Sequence, residues 1–192
     1  MKEGKEPLAS TYPKIAKGTL VDWHKTWWPG IPGVRYPTVI QQPPFADYGP
    51  KFFSDGVITN EPPTVKGHYK VFVMRCDIDG NERTLPPPDV ALPLATYTGW
   101  NLRRKEVGAE GMLASLLGSC IPFPRTQAEA NKNADPRPPI EGWYKSFREY
   151  RDRYSSLCKV YQEQGALLPE DIELLVKNLE SRRKLFPAAE GK

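Results

Sequence analysis

The chain of 192 residues is long enough for one domain of ordinary size, and its 21 prolines and 15 glycines predict a loop-rich body. Aromatic residues make up 11% of the chain and hydrophobic residues 39%, which is too much apolar surface for a disordered polymer. The net charge of +4 is small and no block of like charges stands out, so the composition does not indicate a nucleic-acid-binding protein.

The sequence predicts neither a signal peptide nor a membrane span. Residues 1–7 carry charge, but no apolar run of about 7 to 15 residues follows them, and no stretch approaches the ~18 apolar residues of a membrane helix. We therefore expect a cytoplasmic location by default. Cys76, Cys120 and Cys158 lack C-x-x-C spacing, so we predict reduced thiols that fill small apolar spaces rather than a zinc site or a disulfide framework.

Residues 1–68 form a proline-rich and aromatic segment, here named the arm. Its prolines leave little room for a helix longer than about two turns, so we expect an extended chain. An extended segment cannot bury its aromatic side chains on itself, which implies a docking surface. The alternative, a proline-rich ligand for a small adaptor domain, lacks an uninterrupted P-x-x-P run. The aromatic residues concerned are Trp23, Trp27, Trp28, Tyr36, Phe45, Tyr48, Phe52 and Phe53.

Residues 69–104 predict short strands. The segment 69–76 alternates as a strand does, residues 77–82 have the turn chemistry of a hairpin, and residues 83–85 would begin the return. Aspartates in the turn could suggest calcium, but the Gly and Glu that an EF-hand loop requires are missing at their positions. We therefore predict a turn and no metal site.

The run LPLATYTGWNLR at residues 92–103 is predicted to be the buried centre of the fold. Leu94, Thr96 and Thr98 alternate with their neighbours as in a strand, and Gly99 then lets Trp100 turn onto a neighbouring surface. Because Trp100 could touch both the arm and the C-terminal part, we expect it to matter more to folding than any residue of the C-terminal helices.

Residues 105–140 predict short helices and a linker. Three leucines share one face over residues 110–117, and Gly118 stands where it could end that helix. Thr126 and Glu129 have the spacing of a capping box for a short polar helix. The sequence DPRPP at 135–139 predicts a rigid linker.

Residues 141–192 predict an antiparallel pair of helices. The first runs over about 141–164 until Gly165, and Pro169 fits the first position of the second. A short loop between two helices favours an antiparallel hairpin. The predicted buried stripes are Tyr144, Phe147, Tyr154, Leu157, Cys158 and Tyr161 in the first helix and Ile172, Leu175, Val176, Leu179 and Phe186 in the second.

The run LATYTGWNLR at 94–103 resembles the late segment of a family of large bacterial proteins described as α/β-hydrolase domain-containing. The resemblance spans roughly residues 4 to 185 but covers only the C-terminal part of the family. It implies a loop-rich α+β fold, a single unit similar to the C-terminal lobe of an α/β-hydrolase-like protein. Further landmarks in family order are STYP at 10–13, GTLV at 18–21, PGIPGV at 29–34, DYGP at 47–50, DIDGNE at 77–82, GSCIPF at 118–123, DPRP at 135–138 and LLPED at 167–171.

No catalytic set is visible in the sequence. An α/β-hydrolase nucleophile occupies a G-x-S-x-G turn, which is absent, and Ser119 lacks its glycine spacing. In the family the nucleophile and the catalytic histidine lie upstream of the resembling segment, so neither can be carried over. We expect His24 and His68 at the surface or at an edge, and Cys120 as an inert buried thiol. We assign no catalytic, metal or cofactor-binding residue.

Two functions remain open. The chain is either the non-catalytic C-terminal lobe of an α/β-hydrolase, bracing the catalytic lobe, or a free-standing accessory subunit that clamps onto another enzyme. Its partner would be that catalytic lobe or another enzyme subunit, not a nucleic acid or a membrane. The residues expected to form structural or interaction contacts are Trp23, Trp27, Trp28, Tyr48, Tyr97, Trp100 and Arg103.

Overall fold

The computed structural model describes residues 12–82, 86–114 and 116–186, which contain both helices and small sheets. Within those ranges the strands pair into three two-stranded antiparallel sheets. The strands are β1 (Leu20–Asp22), β2 (Pro44–Asp47), β3 (Thr64–His68), β4 (Phe72–Met74), β5 (Ala95–Thr98) and β6 (Ser119–Pro122). The α-helices are α1 (Phe52–Asp55), α2 (Pro88–Ala91), α3 (Gln127–Asn133), α4 (Ile140–Trp143), α5 (Phe147–Glu163) and α6 (Pro169–Asn178), and 3-10 helices occupy Ile15–Lys17, Trp23–Lys25, Lys105–Val107 and Leu179–Leu185.

The arm is less extended than we predicted. Strands β2 and β3 pair with each other, so part of the arm folds back on itself as a hairpin, while β1 pairs with β4 outside the arm. Its one α-helix among the described residues, α1, is four residues long, as the spacing of the prolines requires.

Strand β4 is shorter than the predicted strand over 69–76, and it pairs with β1 rather than with a return strand. The predicted turn is confirmed, because Asp77 N donates to Asn81 O at 3.0 Å and Cys76 forms an isolated bridge with Glu82. The expected return over residues 83–85 lies outside the described residues.

The helix predicted over 110–117 is wrong. Gly108 and Gly111 have φ values of 71° and 79°, which a right-handed helix does not allow, and the chain turns back between them. Arg103 N then donates to Met112 O at 2.8 Å, and Leu102 pairs with Leu113. The two glycines therefore outweigh the helical spacing of the leucines.

Strand β6 was not predicted. It pairs antiparallel with β5, with Ala95 opposite Pro122 and Thr98 opposite Ser119. Gly118 precedes it and does not end a helix. A Cβ atom at Gly118 would lie 2.5 Å from Thr98 O, so the residue is a glycine because the two backbones approach closely.

The predicted helical hairpin is confirmed, with two refinements. The first helix is interrupted, so that α4 ends at Trp143 and α5 begins after Ser146, whose side chain accepts a hydrogen bond from Glu149 N at 3.1 Å. Pro169 starts α6 as expected, and the second stripe continues into the 3-10 helix Leu179–Leu185. The capping box of α3 is also confirmed, because Thr126 Oγ1 accepts from Glu129 N at 3.1 Å.

The hydrophobic core lies among these helices rather than around residues 92–103 as a whole. Tyr150 and Leu179 have no exposed surface, whereas Trp100 is only half-buried, so the expectation that Trp100 sits at the buried centre is wrong. Of the central run, Leu94 alone joins the core cluster, although Ala95 and Thr96 are also buried. The core cluster comprises Leu94, Phe123, Ile140, Tyr144, Phe147, Tyr150, Tyr154, Cys158, Leu179 and Phe186.

The cysteines are free thiols, and one of them departs from the prediction. Cys76 and Cys158 are buried as expected, but Cys120 is exposed, because alternate residues of β6 face opposite sides of the sheet and Cys120 lies on the open side. No helix within the described ranges is long and apolar enough to cross a lipid bilayer.

Candidate functional site

The residues weighed for catalysis are not assembled into a site. His24 and His68 are exposed, as expected for surface or edge positions. Ser119 Oγ donates to the carbonyl oxygen of Trp100 at 3.2 Å, a hydrogen bond that holds β6 against the end of β5. Within the part of the chain that the structure describes, no group of three or more His, Cys, Asp or Glu side chains could hold a metal ion.

Two of the seven interaction candidates meet in an aromatic cluster. The ring of Trp100 contacts Trp28 edge-to-face at a centroid distance of 5.6 Å and Tyr36 at 5.9 Å, and Trp28 lies 5.7 Å from Tyr36. The predicted contact of Trp100 with the arm is therefore confirmed. Tyr36 completes the cluster and accepts a hydrogen bond from Ile31 N at 3.3 Å, and its burial raises the pKa of its phenol.

The other five candidates lie apart from this cluster. Trp23, Tyr48 and Tyr97 are half-buried, and Trp27 is 57% exposed beside a cavity. Arg103 serves its own loop, because Nε donates to Gly108 O at 2.9 Å and Nη2 to Val107 O at 2.6 Å. The seven residues do not form one continuous site.

A buried polar network links the turn at 77–82 to β5. The Asn81 side chain donates through Nδ2 to Ala95 O at 3.0 Å and accepts through Oδ1 from Tyr97 N at 2.8 Å, as a neighbouring strand would. Thr96 Oγ1 donates to the carbonyl oxygen of Asp79. The DIDGN turn thus completes the hydrogen bonding of β5 along the edge that β6 leaves open.

Arg137 extends this network, so the segment predicted as a simple linker has a buried anchor. Its Nη1 donates to Thr96 Oγ1 at 3.0 Å and to Ile121 O at 2.8 Å, and its Nη2 lies 2.7 Å from the Asp135 carboxylate. Burial alone would raise the pKa of Asp135, but hydrogen bonds from the Arg137 side chain and backbone outweigh it and hold that pKa below its usual range. These contacts fix the approach to α4.

A second charged cluster joins α2 to the C-terminal 3-10 helix. Arg182 Nη1 donates to Asp89 Oδ1 at 2.5 Å and to the Tyr150 hydroxyl at 2.9 Å, and the Tyr154 hydroxyl donates to the same Asp89 oxygen at 3.0 Å. Burial first and the Asp89 carboxylate second raise the pKa of Tyr154, so its hydroxyl stays protonated and keeps donating. Sequence reasoning missed this cluster, because Asp89 and Arg182 are 93 residues apart.

Several exposed apolar side chains lie on residues 43–69, here named the hairpin unit, which contains β2, α1 and β3. Among the described residues, those of the hairpin unit form hydrogen bonds only with one another. Tyr69 N, for example, donates to Pro43 O at 3.0 Å. Phe45 and Tyr69 stack edge-to-face at 5.5 Å, yet they remain 43% and 55% exposed. Six large apolar side chains of the unit are between 43% and 88% exposed, namely Phe45, Phe53, Val57, Ile58, Val65 and Tyr69.

Comparison with known proteins identifies a family. The sequence matches the family described as an alpha/beta hydrolase domain over residues 38–177, a range that includes the hairpin unit, the buried network and most of the helical hairpin. No curated protein and no solved structure gave a significant match.

Proposed function

The chain belongs to an alpha/beta hydrolase domain family, and on that premise we propose that it is the non-catalytic C-terminal lobe of an esterase-like α/β-hydrolase. In this role it braces the catalytic lobe, which supplies the nucleophile and the catalytic histidine. The catalytic lobe is the partner, on the same polypeptide or as a separate chain.

The exposed surface of the hairpin unit carries this proposal. Isolated two-stranded hairpins are marginally stable in water, and contiguous apolar patches beyond a few hundred Å² mark interaction sites or aggregation hazards. The hairpin unit lies inside the segment that matches the family, but six of its large apolar side chains stay exposed and none belongs to the core cluster of the described residues. A neighbouring lobe would bury these side chains and hold the unit in place.

The distribution of polar groups supports a non-catalytic role. A hydrolytic site needs a nucleophile, a base within hydrogen-bond reach and a group that orients the base. Here Ser119 donates to a backbone carbonyl, and both histidines are exposed. The buried charged groups of Arg137 and Asp135 are committed to each other and to backbone oxygens, which suits a structural brace.

An ester-hydrolysis assay tests the catalytic half of the proposal. We expect the isolated chain to hydrolyse short-chain aryl esters and amides at no more than the background rate. Turnover above background that disappears in Ser119→Ala or His68→Ala would contradict the non-catalytic role. The same assay on Ser181→Ala, at an exposed serine whose hydroxyl donates to Asn178 O, controls for contaminating esterases.

The DNA sequence upstream of Met1 separates the lobe from the alternative, a free-standing accessory subunit. An in-frame continuation that encodes a G-x-S-x-G turn would support the lobe on a single polypeptide. A stop codon followed by a ribosome-binding site would favour the subunit, whose partner is then sought among co-purifying enzymes.

A further inference from the structure

A cavity of about 570 Å³ lies beside the β1–β4 sheet, and none of its lining residues belongs to the hairpin unit. Two of its walls are residues 25–27 after β1 and residues 75–78 after β4, and Gly18 and Val21 complete the lining. This volume falls within the range of about 300 to 1,000 Å³ that is usual for small-molecule sites. None of the functions considered above uses this cavity.

The two walls are held in place by the backbone. Arg75 N donates to Thr19 O at 3.0 Å, which continues the β1–β4 pairing, and Trp23 N donates to Val71 O at 3.0 Å. Cys76 Sγ then donates to Trp27 O at 3.0 Å and joins one wall to the other. Burial raises the pKa of the Cys76 thiol to about 11, so the thiol remains a donor at neutral pH. The cavity is therefore formed before any ligand arrives.

The lining combines an apolar wall with cations. Trp27 and Ile78 stay 57% and 63% exposed at the cavity, an unusual cost for a tryptophan unless something covers it. Lys25 and Arg75 line the same space and present two positive side chains against the one carboxylate of Asp77. This balance suits a ligand with one negative charge.

We propose that this cavity binds a small amphipathic monocarboxylate, with its apolar chain against Trp27 and Ile78 and its carboxylate near Lys25 and Arg75. A medium-chain fatty-acid anion has this chemistry. The site is independent of the proposed bracing role, because its lining residues lie outside the hairpin unit and bind through different groups.

Photolabelling at low protein concentration tests the proposal. The probe is an octanoate analogue with a diazirine in its acyl chain, and labelled peptides are mapped by mass spectrometry. We expect labelling of the peptides that contain residues 25–27 and 75–78, competition by octanoate, and at least about tenfold weaker competition by octanamide, which lacks the charge.

Variants test the apolar wall and the cations of the cavity separately. Trp27→Ala should reduce labelling at least about fivefold, and so should the double variant Lys25→Gln/Arg75→Gln. All three residues are exposed, so these variants should melt like the wild type. Phe53→Ala removes an exposed aromatic side chain outside the cavity and should leave labelling unchanged.

Two results would overturn the proposal. Labelling spread over the exposed apolar residues, unchanged in Trp27→Ala, would show nonspecific adsorption. Labelling at the cavity that octanamide competes as well as octanoate, and that the double variant retains, would show that the cations do not recognise a carboxylate.

Discussion

The hairpin unit and the helical hairpin are both rich in aromatic residues but use them differently. In the helical hairpin, Tyr150 packs against Tyr144 at 5.0 Å and Phe186 at 5.4 Å, and all three rings are buried. In the hairpin unit, Phe52 and Phe53 approach to 5.1 Å, yet Phe53 stays 88% exposed. Ring contacts alone therefore do not make a core. Helices or strands must close over the rings on more than one side.

The largest expected effect is the loss of stability when a buried ring of the helical hairpin is removed, compared with an exposed ring of the hairpin unit. Tyr150→Ala removes a fully buried ring and the acceptor of a hydrogen bond from Arg182, so it should lower the free energy of unfolding by about 3 to 5 kcal/mol. Phe53→Ala, at an exposed ring, should change it by less than about 0.5 kcal/mol. Urea unfolding followed by circular dichroism measures both.

Trp100→Ala belongs in the same experiment, because its half-buried ring touches Trp28 and Tyr36 but not the core cluster. We expect a loss smaller than that of Tyr150→Ala. A larger loss of unfolding free energy for Trp100→Ala would contradict this and would mean that residues 92–103 contribute more to stability than the core cluster does.

The next effect concerns the buried network around Arg137. Arg137→Ala removes the charged partner of Asp135 and a side-chain donor to the buried carbonyl of Ile121, and breaking a buried pair in this way typically costs about 3 to 5 kcal/mol. The control is Arg148→Ala, since Arg148 is 93% exposed beside Asp152 and such pairs contribute about 0 to 1 kcal/mol. Equal melting temperatures for the two variants would contradict a buried anchor at Arg137.

A smaller effect tests the pairing of β5 with β6. Gly118→Ala places a methyl group 2.5 Å from Thr98 O, so the strands must shift, with an expected loss of about 1 to 3 kcal/mol. Gly99→Ala is the matched control, because a Cβ at Gly99 meets nothing within 4 Å. Thermal melts compare the two variants. A larger loss of melting temperature in Gly99→Ala than in Gly118→Ala would contradict the close approach of the two strands at Gly118.

The smallest expected effect is a loss of stability at acidic pH. Because the folded state holds the pKa of Asp135 below its usual value, this carboxylate contributes stability above pH of about 4, and that stability is lost as the pH falls through the folded pKa. Asp135→Asn removes this group. We expect the wild-type melting temperature to fall more steeply below pH of about 4 than that of the variant. Parallel curves would contradict the role of Asp135.

Local signals in the sequence were enough for the helical hairpin. Pro169 and Gly165 act within one or two turns, and the apolar stripes repeat at helical spacing; the Thr126 cap is a signal of the same kind for α3. These features do not depend on what the rest of the chain does. The helix wrongly predicted over 110–117 had the stripe, but Gly111 within it and Gly108 just before it have positive φ values that decided the local structure.

Long-range pairing could not be predicted in the same way. Strands β1 and β4 are separated by about 50 residues, and each is three residues long, too short for alternation to be recognised. Arg137 stood among prolines that indicated a linker, while its partners Thr96 and Ile121 lie far away in the sequence. The aromatic pattern of the arm predicts a docking surface, but it could not separate Trp28, which packs against Tyr36 and Trp100, from Phe53, which stays 88% exposed.

The most direct test of the bracing role is the affinity between this chain and the catalytic α/β-hydrolase lobe, measured by titration calorimetry. The double variant Phe45→Ser/Tyr69→Ser removes exposed apolar groups of the hairpin unit. Its control, Leu168→Ser/Leu174→Ser, removes two side chains that are each 58% exposed at the helical hairpin. We predict at least about tenfold weaker binding for the hairpin-unit variant and unchanged binding for the control. Equal losses in both variants, or full affinity in the hairpin-unit variant, would contradict the account.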